Sequence, residues 1–277
     1  MLEPSEKEVL ADIKAVVDAL KLPMLVVGAG ARLLIFDRPY NISGRTTTDW
    51  DIAVSLDSWK KFDLLRERMT KGTSPHFRVT SSVHKFIHIN TKIEVDIVPF
   101  GEIGKPNEQI EWPDGNEMNL LGLEEALKYA SSQKIDNLEF LVVDLFAFIA
   151  LKLIAWNDRH LAKDIEDINF ILENYSDDDR IYDDDELIEL INAKSGDQIE
   201  FEDAAAFLLG KDIRNRFSDR TKTQLDQILF QILKNDEHNF APLIPSSVEG
   251  NPWNSKFDRI FRRWNLLYKG MKASLEE

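Results

Sequence analysis

The sequence predicts an α+β fold, in which a small mixed sheet with helices is followed by an all-helical region. Up to residue 143, apolar runs of strand length alternate with helical patterns. From residue 144 onward, every periodic segment has helical spacing. Because 277 residues allow two domains of moderate size, we predict one domain over 1–140 and a second over 141–277.

The first half starts with a helix and then supplies the strands. Apolar residues spaced as on one helix face run through 6–22, and Pro23 ends that pattern. A helix over 58–72 is indicated by Ser58 as its N-cap and Gly72 as its stop. Residues 101–119 are predicted to form a long loop, and 122–130 a short helix. The predicted strands are 24–27, 51–56, 77–82, 85–90, 92–100 and 137–143.

The second half is predicted to contain helices throughout. An acidic run over 176–189 is typical of a solvated linker or helix start. The predicted helices are 144–159, 162–175, 184–194, 201–209, 218–234 and 254–272.

Composition and charge exclude several classes of protein. The chain has no cysteine, which excludes a disulfide framework, a thiolate nucleophile and a cysteine-ligated zinc site. A formal net charge of −15 argues against a broad non-specific nucleic-acid binder, because such a surface repels phosphate backbones. The acidic N-terminus is unlike a signal peptide, and no apolar run is long enough to span a bilayer. We therefore expect a cytoplasmic protein without membrane association.

Three acids lie on segments that otherwise look like buried strands. Asp49 and Asp51 flank a tryptophan, and side-chain alternation places both on the face opposite to Trp50. Asp96 lies in the apolar centre of "KIEVDIVPF", where an unpaired carboxylate is costly to bury. Clustered carboxylates repel one another unless a cation lies between them. Oxygen ligands without cysteine or histidine favour Mg²⁺ or Mn²⁺, so we predict a metal site at these three acids.

A glycine turn precedes these strands. In "VVGAGAR" the small residues follow a strand and open a helix, where backbone N–H groups are able to bind phosphate oxygens. Alone this turn is weak evidence, because the dinucleotide fingerprint is incomplete. Together with the Asp-Trp-Asp segment and Asp96, it is a strong indication of nucleotide chemistry.

This combination resembles the DNA polymerase β-like nucleotidyltransferase superfamily, and more narrowly the nucleotidyltransferases related to AbiEii abortive-infection toxins. The resemblance covers roughly residues 20–175 and includes "ALKLIAWNDR" and "AKDIEDINFIL" in the helical half. The chain departs from the usual pattern at Gly28-Ala29, where Gly-Gly or Gly-Ser is typical, and by a longer insert before the two acids. The matching residues of the first half are Gly28, Ala29, Asp49, Asp51 and Asp96.

The resemblance implies a metal-dependent transfer of NMP from an NTP to an acceptor hydroxyl, with release of pyrophosphate. Asp96 is then the acid nearest the attacking oxygen, as base or metal ligand, and the helical domain completes the nucleotide cleft. A tRNA acceptor and a cognate antitoxin are further implications. The open alternatives are a protein hydroxyl or an aminoglycoside-like antibiotic as acceptor, and a non-catalytic nucleotide sensor. A metal nuclease is less well supported, since "EVD" lacks the expected lysine.

Several further side chains are candidates for the nucleotide site. Lys152 stands in an apolar helix two turns before Arg159, on the same stripe, and we predict that both bind the nucleotide, with Lys152 in contact with the triphosphate. Asp164 and Asp167 share a helix face. Asp164 has two interpretations: it positions Lys152, Arg159 or the acceptor hydroxyl, or it is an acid on the helix surface. Arg32 and Thr48 are predicted phosphate contacts, with packing and strand formation as their alternatives.

Three other features have both a functional and a structural interpretation. Lys85 is either a cleft cation or, preferably, part of a solvated rim, and Trp112 either stacks on a base or, preferably, packs in the protein. The basic, aromatic stretch 255–272 suits RNA or forms a packed amphipathic helix. The histidines show no metal-ligand spacing and are predicted to be structural.

Overall fold

The predicted α+β class is confirmed by the computed structural model, which describes residues 2–45, 49–193 and 198–272. The chain divides into two compact units, Met1–Leu151 and Lys152–Glu277. A mixed sheet with helices forms the first unit, and the described part of the second unit contains helical elements without strands. No helix in the described ranges is long and apolar enough to cross a membrane.

The first unit is built around a seven-stranded sheet. Its helices are α1 (Pro4–Ala19), α2 (Gly28–Arg32), α3 (Trp59–Thr70) and α4 (Leu123–Lys128), and α2 continues into a π-helical turn, Leu33–Asp37. Its strands are β1 (Met24–Val27), β2 (Asp49–Ser55), β3 (Phe77–Val79), β4 (Lys85–His88), β5 (Glu94–Phe100), β6 (Gln109–Glu111), β7 (Glu117–Asn119), β8 (Ser131–Ile135) and β9 (Leu138–Val142).

The strand order of this sheet is β3-β4-β5-β2-β1-β9-β8, and β6-β7 form a separate hairpin. Strands β2 and β5 are parallel neighbours at the centre, with Asp51 directly opposite Asp96. Strand β4 pairs antiparallel with the other edge of β5, and β1 pairs antiparallel with β2. The middle of the sheet therefore brings both predicted acid-bearing strands side by side.

Side-chain alternation in β2 and β5 separates an apolar face from a polar one. Trp50, Ile52, Val95 and Ile97 are at most 2% exposed. Burying a large apolar side chain of this kind stabilises the fold by about 1.5–3 kcal/mol. The acids of the same strands alternate with these residues and are only partly buried. The core therefore fixes the face on which the acids lie.

Two segments of the first unit differ from prediction. The predicted loop 101–119 contains the β6-β7 hairpin, which turns through Gly115 at φ +84°. Strand β8 was not predicted, because "SSQKI" is polar and lies at the sheet edge, where one partner and partial exposure suffice. It joins β9 through a tight turn with Asp136 at φ +52°.

The second unit is a set of packed helices. Helix α5 (Leu145–Arg159) begins in the first unit and crosses the division, which lies after the predicted boundary at residue 140. Two short helices, Asp178–Tyr182 and Asp236–Phe240, were not predicted. The helices that follow α5 are α6 (Ala162–Asn174), α7 (Asp178–Tyr182), α8 (Asp185–Ile191), α9 (Ala204–Arg216), α10 (Asp219–Lys234), α11 (Asp236–Phe240) and α12 (Asn251–Lys272).

Helix α9 is longer than predicted because its glycine makes a helix contact. The predicted helix ended at residue 209, before Gly210. In the structure Gly210 lies inside α9, where a Cβ would overlap the backbone carbonyl of Leu267 on α12. Gly270 of α12 meets the carbonyl of Phe207 in the same way. The two glycines allow these backbones to approach closely, so Gly210 is a packing residue and does not end the helix.

Candidate active site

The glycine turn is shaped by the strand beside it. Gly28 has φ +65°, and a Cβ there would overlap the Asp51 carboxylate, with 2.6 Å to its Cγ. At Gly30 a Cβ would lie 2.6 Å from the Trp50 ring. Glycine at position 28 is thus required both by backbone conformation and by the close approach of an acid. The nucleotide contact predicted for Gly28 and Ala29 remains a prediction.

Asp49, Asp51 and Asp96 converge on one face of the sheet, as the sequence predicted. Their placement follows from the parallel register of β2 and β5, which sets Asp51 against Asp96 and Asp49 against Glu94. One carboxylate oxygen from each of the three acids lies within 4.8 Å of the others. We call these three residues the acid cluster. Their roles in catalysis and metal binding remain predictions.

Lys85 lies at the acid cluster, so the preferred prediction of a solvated rim was wrong. Its Nζ is 3.3 Å from Oδ1 of Asp96 and 3.0 Å from Oε2 of Glu94. The register of β4 and β5 causes this contact, because Lys85 is directly opposite Asp96. Pairing the antiparallel strands 85–90 and 92–100 in the sequence would have indicated the contact.

The electrostatics of Asp96 show a carboxylate that is not fully compensated. Burial raises the pKa of Asp96, and the charge of Asp49 adds to that increase, while Lys85 and His84 oppose it. Its buried Oδ1 accepts no hydrogen bond, since Lys85 at 3.3 Å is an ion-pair contact without hydrogen-bond geometry. The pKa of Lys85 is raised: burial alone would lower it, but Glu94 and Asp96 outweigh burial.

These residues fit a hard divalent cation. The donors are carboxylate oxygens from three side chains, and one buried oxygen lacks a hydrogen-bond donor. Mg²⁺ and Mn²⁺ prefer oxygen ligands of this kind. A cation among them would also relieve the mutual repulsion that disfavours the charged form of Asp96.

Within the second unit, Lys152 lies between two buried acids. Its Nζ is 3.1 Å from Asp164 and 2.7 Å from Asp167, and both acids are at most 1% exposed. Arg159 donates to both oxygens of Asp164, at 2.8 and 2.6 Å. The alternative of a surface acid at Asp164 was therefore wrong, and its position beside the two cations agrees with prediction. We call these four residues the Lys152 network.

Two predicted phosphate contacts need separate comment. The Arg32 side chain is 1% exposed, donates to both oxygens of Asp37 at 3.1 and 3.2 Å, and donates to the carbonyl of Arg45 at 2.9 Å. A phosphate would have to displace these acceptors. Thr48 lies outside the described residues.

Trp112 and the basic stretch 255–272 both pack in the protein, which agrees with the structural interpretation of each. Trp112 is 4% exposed and packs against the rings of Trp59, Phe62 and His84. In α12, Arg262 and Arg263 both pair with Asp203, and Trp264 is fully buried. The stretch 255–272 is thus a packed amphipathic helix, several of whose cations are already paired.

A sequence comparison finds one protein family. The family model described as the nucleotidyl transferase AbiEii toxin of type IV toxin–antitoxin systems matches residues 36–242, more than half of the chain. The matched range begins after the glycine turn and includes the acid cluster and the Lys152 network. No curated protein sequence matches the chain significantly.

Among solved structures, the distant likenesses include three proteins of low sequence identity. The nucleotidyltransferase toxin MenT4 from Mycobacterium tuberculosis H37Rv is 11% identical, with a TM-score of 0.39 over 94% of this chain and 82% of that one. The antibiotic-resistance factor ANT(2'')-Ia is 15% identical, with a TM-score of 0.36 over 60% and 82%. A CCA-adding enzyme in complex with CTP is 12% identical, with a TM-score of 0.23 over 96% and 79%. The family match, and not these likenesses, carries the assignment.

Proposed function

The chain belongs to the AbiEii nucleotidyltransferase toxin family, as its residue pattern predicted, and on that premise we propose the reaction it performs. It transfers a nucleoside monophosphate from an NTP to an acceptor hydroxyl and releases pyrophosphate. The observation that carries this proposal is the convergence of Asp49, Asp51 and Asp96 around a buried carboxylate oxygen that accepts no hydrogen bond. As a toxin of a toxin–antitoxin system, the protein has a cognate antitoxin as its protein partner. The NTP substrate places the reaction in the cytoplasm.

The acid cluster would hold the divalent ion, Mg²⁺ or Mn²⁺. When bound, such an ion neutralises triphosphate charge and stabilises the charge that develops during in-line displacement. Two carboxylates of the acid cluster are already positioned for the ion, because Asp51 lies against Gly28 and Asp96 against Lys85. Lys85 keeps Asp96 and Glu94 in place from the neighbouring strand.

The transfer step uses one proton acceptor from the chain. The acceptor oxygen forms a bond to the α-phosphorus, and the bond from that phosphorus to the pyrophosphate oxygen breaks. The hydroxyl proton passes to the carboxylate of Asp96, whose pKa is raised by burial. Positioning and charge compensation then supply most of the acceleration, as is usual in phosphoryl transfer.

The second unit carries two cations that share one buried acid. Asp164 and Asp167 hold Lys152, whose side chain is 10% exposed. Arg159 is 43% exposed and shares Asp164 with Lys152. We propose that Lys152 and Arg159 are phosphate-binding cations, with Asp164 as the residue that positions both.

The acceptor class that we propose is tRNA, as the resemblance of the sequence to the toxin family implies. The basic stretch of α12 gives little support, because Arg262 and Arg263 are paired with Asp203 and Lys272 with Asp226. We therefore expect an RNA contact to use surfaces outside the packed face of α12. A protein hydroxyl and an aminoglycoside are the other acceptors to include in a test.

The test is incubation of the full chain with Mg²⁺, each labelled NTP and total tRNA. We expect label on RNA, and we expect Asp51→Asn to reduce the rate by about 10³-fold, the loss of several kcal/mol of charge stabilisation. The matched control is Asp57→Asn, at an exposed acid two residues after the end of β2, and this variant should retain wild-type transfer. Shortened RNA would indicate a nuclease instead, and NTP binding without transfer would indicate a sensor. Wild-type turnover of Asp51→Asn would refute the assignment of the acid cluster.

A further inference from the structure

A second group of metal-ligating side chains lies in the first unit and has no part in the proposed reaction. Asp12 comes from α1, His76 immediately precedes β3, and His88 ends β4. Nδ1 of His76 is 2.7 Å and Nε2 of His88 is 2.9 Å from the same atom, Oδ2 of Asp12. The three ligand atoms all lie within 4.8 Å of one another. We call Asp12, His76 and His88 the histidine site.

The histidine site and the acid cluster lie on opposite faces of the same sheet. Successive side chains of β4 alternate, and Phe86 and His88 are buried while Lys85 is only partly buried. Lys85 contacts Asp96 of the acid cluster, so His88 must lie on the other face. Ligands bound at one site therefore have no access to the other through the sheet.

His88 is held in an orientation that suits a metal ligand. The residue is fully buried, and its ring packs edge-on against Phe77 with 5.1 Å between ring centroids. Its Nδ1 is 2.9 Å from the hydroxyl of Thr91, which leaves Nε2 directed at Asp12. Metal-bound histidines characteristically use the second ring nitrogen in such an outer contact, which fixes the ring and its tautomer.

The other side of the histidine site is open to solvent. The side chain of His76 is 50% exposed and that of Asp12 is 21% exposed. An ion can therefore enter beside His76 without disturbing the core, and a water molecule can occupy a further coordination position. The site thus combines one buried ligand, His88, with two more exposed ligands, His76 and Asp12, whose side chains have room to move.

We propose that the histidine site binds one zinc-class divalent cation. Two imidazole nitrogens and one carboxylate oxygen form a ligand set that favours zinc over magnesium. Tetrahedral bonds of about 2.0–2.1 Å hold ligand atoms about 3.3 Å apart, so the imidazoles would move from Asp12 by a few tenths of an ångström. The exposed His76 ring accommodates that movement.

Coordination also has a defined effect on the proton of His88. Binding through Nε2 places the ring proton on Nδ1, where it donates to the Thr91 hydroxyl. The 3.3 Å hydrogen bond from the Thr91 backbone N–H to Nδ1 is then given up. The bound ion ties α1 to the three-residue edge strand β3 and to β4, so it should stabilise this edge of the sheet.

The experiment is a titration of the full chain with Zn²⁺ in excess Mg²⁺, in an Asp51→Asn background that removes one carboxylate of the acid cluster. Calorimetry should show one tight Zn²⁺ site, and Co²⁺ in its place should give the absorption of a tetrahedral complex. His76→Ala should weaken Zn²⁺ affinity by about 100-fold or more and abolish the Zn²⁺-dependent rise in Tm.

The control is His238→Ala, which removes an exposed histidine of the second unit and should leave Zn²⁺ affinity unchanged. Asp12→Asn is a second test variant that retains the size of the side chain at α1. The proposal is overturned if the parent binds no Zn²⁺ more tightly than His76→Ala does, or if His238→Ala weakens binding equally. Neither result depends on nucleotide transfer, so both are distinguishable from a failure of the proposed function.

Discussion

Carboxylates and cations meet in both units, but the two groups are balanced differently. In the acid cluster, three carboxylates lie within 4.8 Å of one another, and a buried oxygen of Asp96 accepts no hydrogen bond. In the Lys152 network, Asp164 accepts from both Lys152 and Arg159, and Asp167 contacts the same ammonium. The pKa values of Asp96 and Asp164 accordingly move in opposite directions.

This difference shows how the same side chains serve different purposes. Buried carboxylates that already have cationic partners stabilise the native arrangement of their neighbours and are costly to break. A buried carboxylate such as Asp96, whose pKa is raised and one of whose oxygens accepts no hydrogen bond, is suited to an external cation. We therefore expect substitutions in the Lys152 network to affect stability first, and substitutions around the acid cluster to affect activity first.

The largest effect on stability is expected for Asp164→Asn. Removing the charge leaves Lys152 and Arg159 without their shared partner, and breaking a buried pair costs about 3–5 kcal/mol. Chemical denaturation should show this loss in the free energy of unfolding. Glu166→Gln, at an exposed position of the same helix, is the control and should change it by less than about 0.5 kcal/mol. Equal stability of Asp164→Asn and wild type would contradict the stabilising role of the Lys152 network.

Gly28→Ala should reduce transfer strongly while costing less stability. The new Cβ displaces the Asp51 carboxylate, and a displacement of about 1 Å at a reacting group costs roughly 10²-fold in rate. The matched control is Gly250→Ala, because Gly250 has φ +64° but open space around its Cβ position. Both variants carry similar backbone strain of about 1–3 kcal/mol. If their activities fall equally, the effect is strain and not the contact with Asp51.

Lys85→Met should change metal dependence by a smaller factor. Removing an ammonium 3.3 Å from Asp96 takes away a positive charge that opposes a bound cation. We expect the Mg²⁺ concentration for half-maximal transfer to fall by roughly tenfold, with Lys85→Arg close to wild type. Lys61→Met, at an exposed lysine paired with Asp57, is the control. A rise in the required Mg²⁺ would mean that the positioning of Asp96 by Lys85 outweighs the repulsion between Lys85 and the ion.

Acid titration should give the smallest effect, and the direction of the pH dependence of stability tests the role of Asp164. Burial alone would raise the pKa of Asp164, but hydrogen bonds and charges from Arg159 and Lys152 outweigh it and lower the pKa below 3.8. A lowered folded-state pKa gives stability that is present above pH 3.8 and is lost as the pH falls through the lowered value. The stability difference between wild type and Asp164→Asn should therefore shrink in acid, as unfolding curves at several pH values would show. A difference that grows in acid would contradict this sign.

Local patterns predicted the parts of the fold that depend on neighbours in sequence. The alternation of "DWDIAV" and "KIEVDIVPF" placed all three acids of the cluster on a polar face, and the structure agrees. Helical spacing likewise predicted α5, α6 and α10 nearly to their ends. In each case the burial of one face is encoded by residues within a few positions of one another.

Side-chain contacts that depend on tertiary packing were predicted less well. Lys85 was expected at a rim, and the partner of Arg32 was not foreseen, although Asp37 is only five residues away. The proximity of His76 and His88 to Asp12 joins residues 64 and more positions apart, and no spacing in the sequence indicates it.

The sequence by itself determined the class of the fold, the faces of the strands and the family, because these follow from periodicity and from a short set of residues. Only the tertiary structure decided which groups share a site. Strand register sets Lys85 against Asp96, and the packing of α1 sets Asp12 against two histidines. Such contacts are chosen by the burial of the whole core, to which many residues contribute and which no local pattern contains.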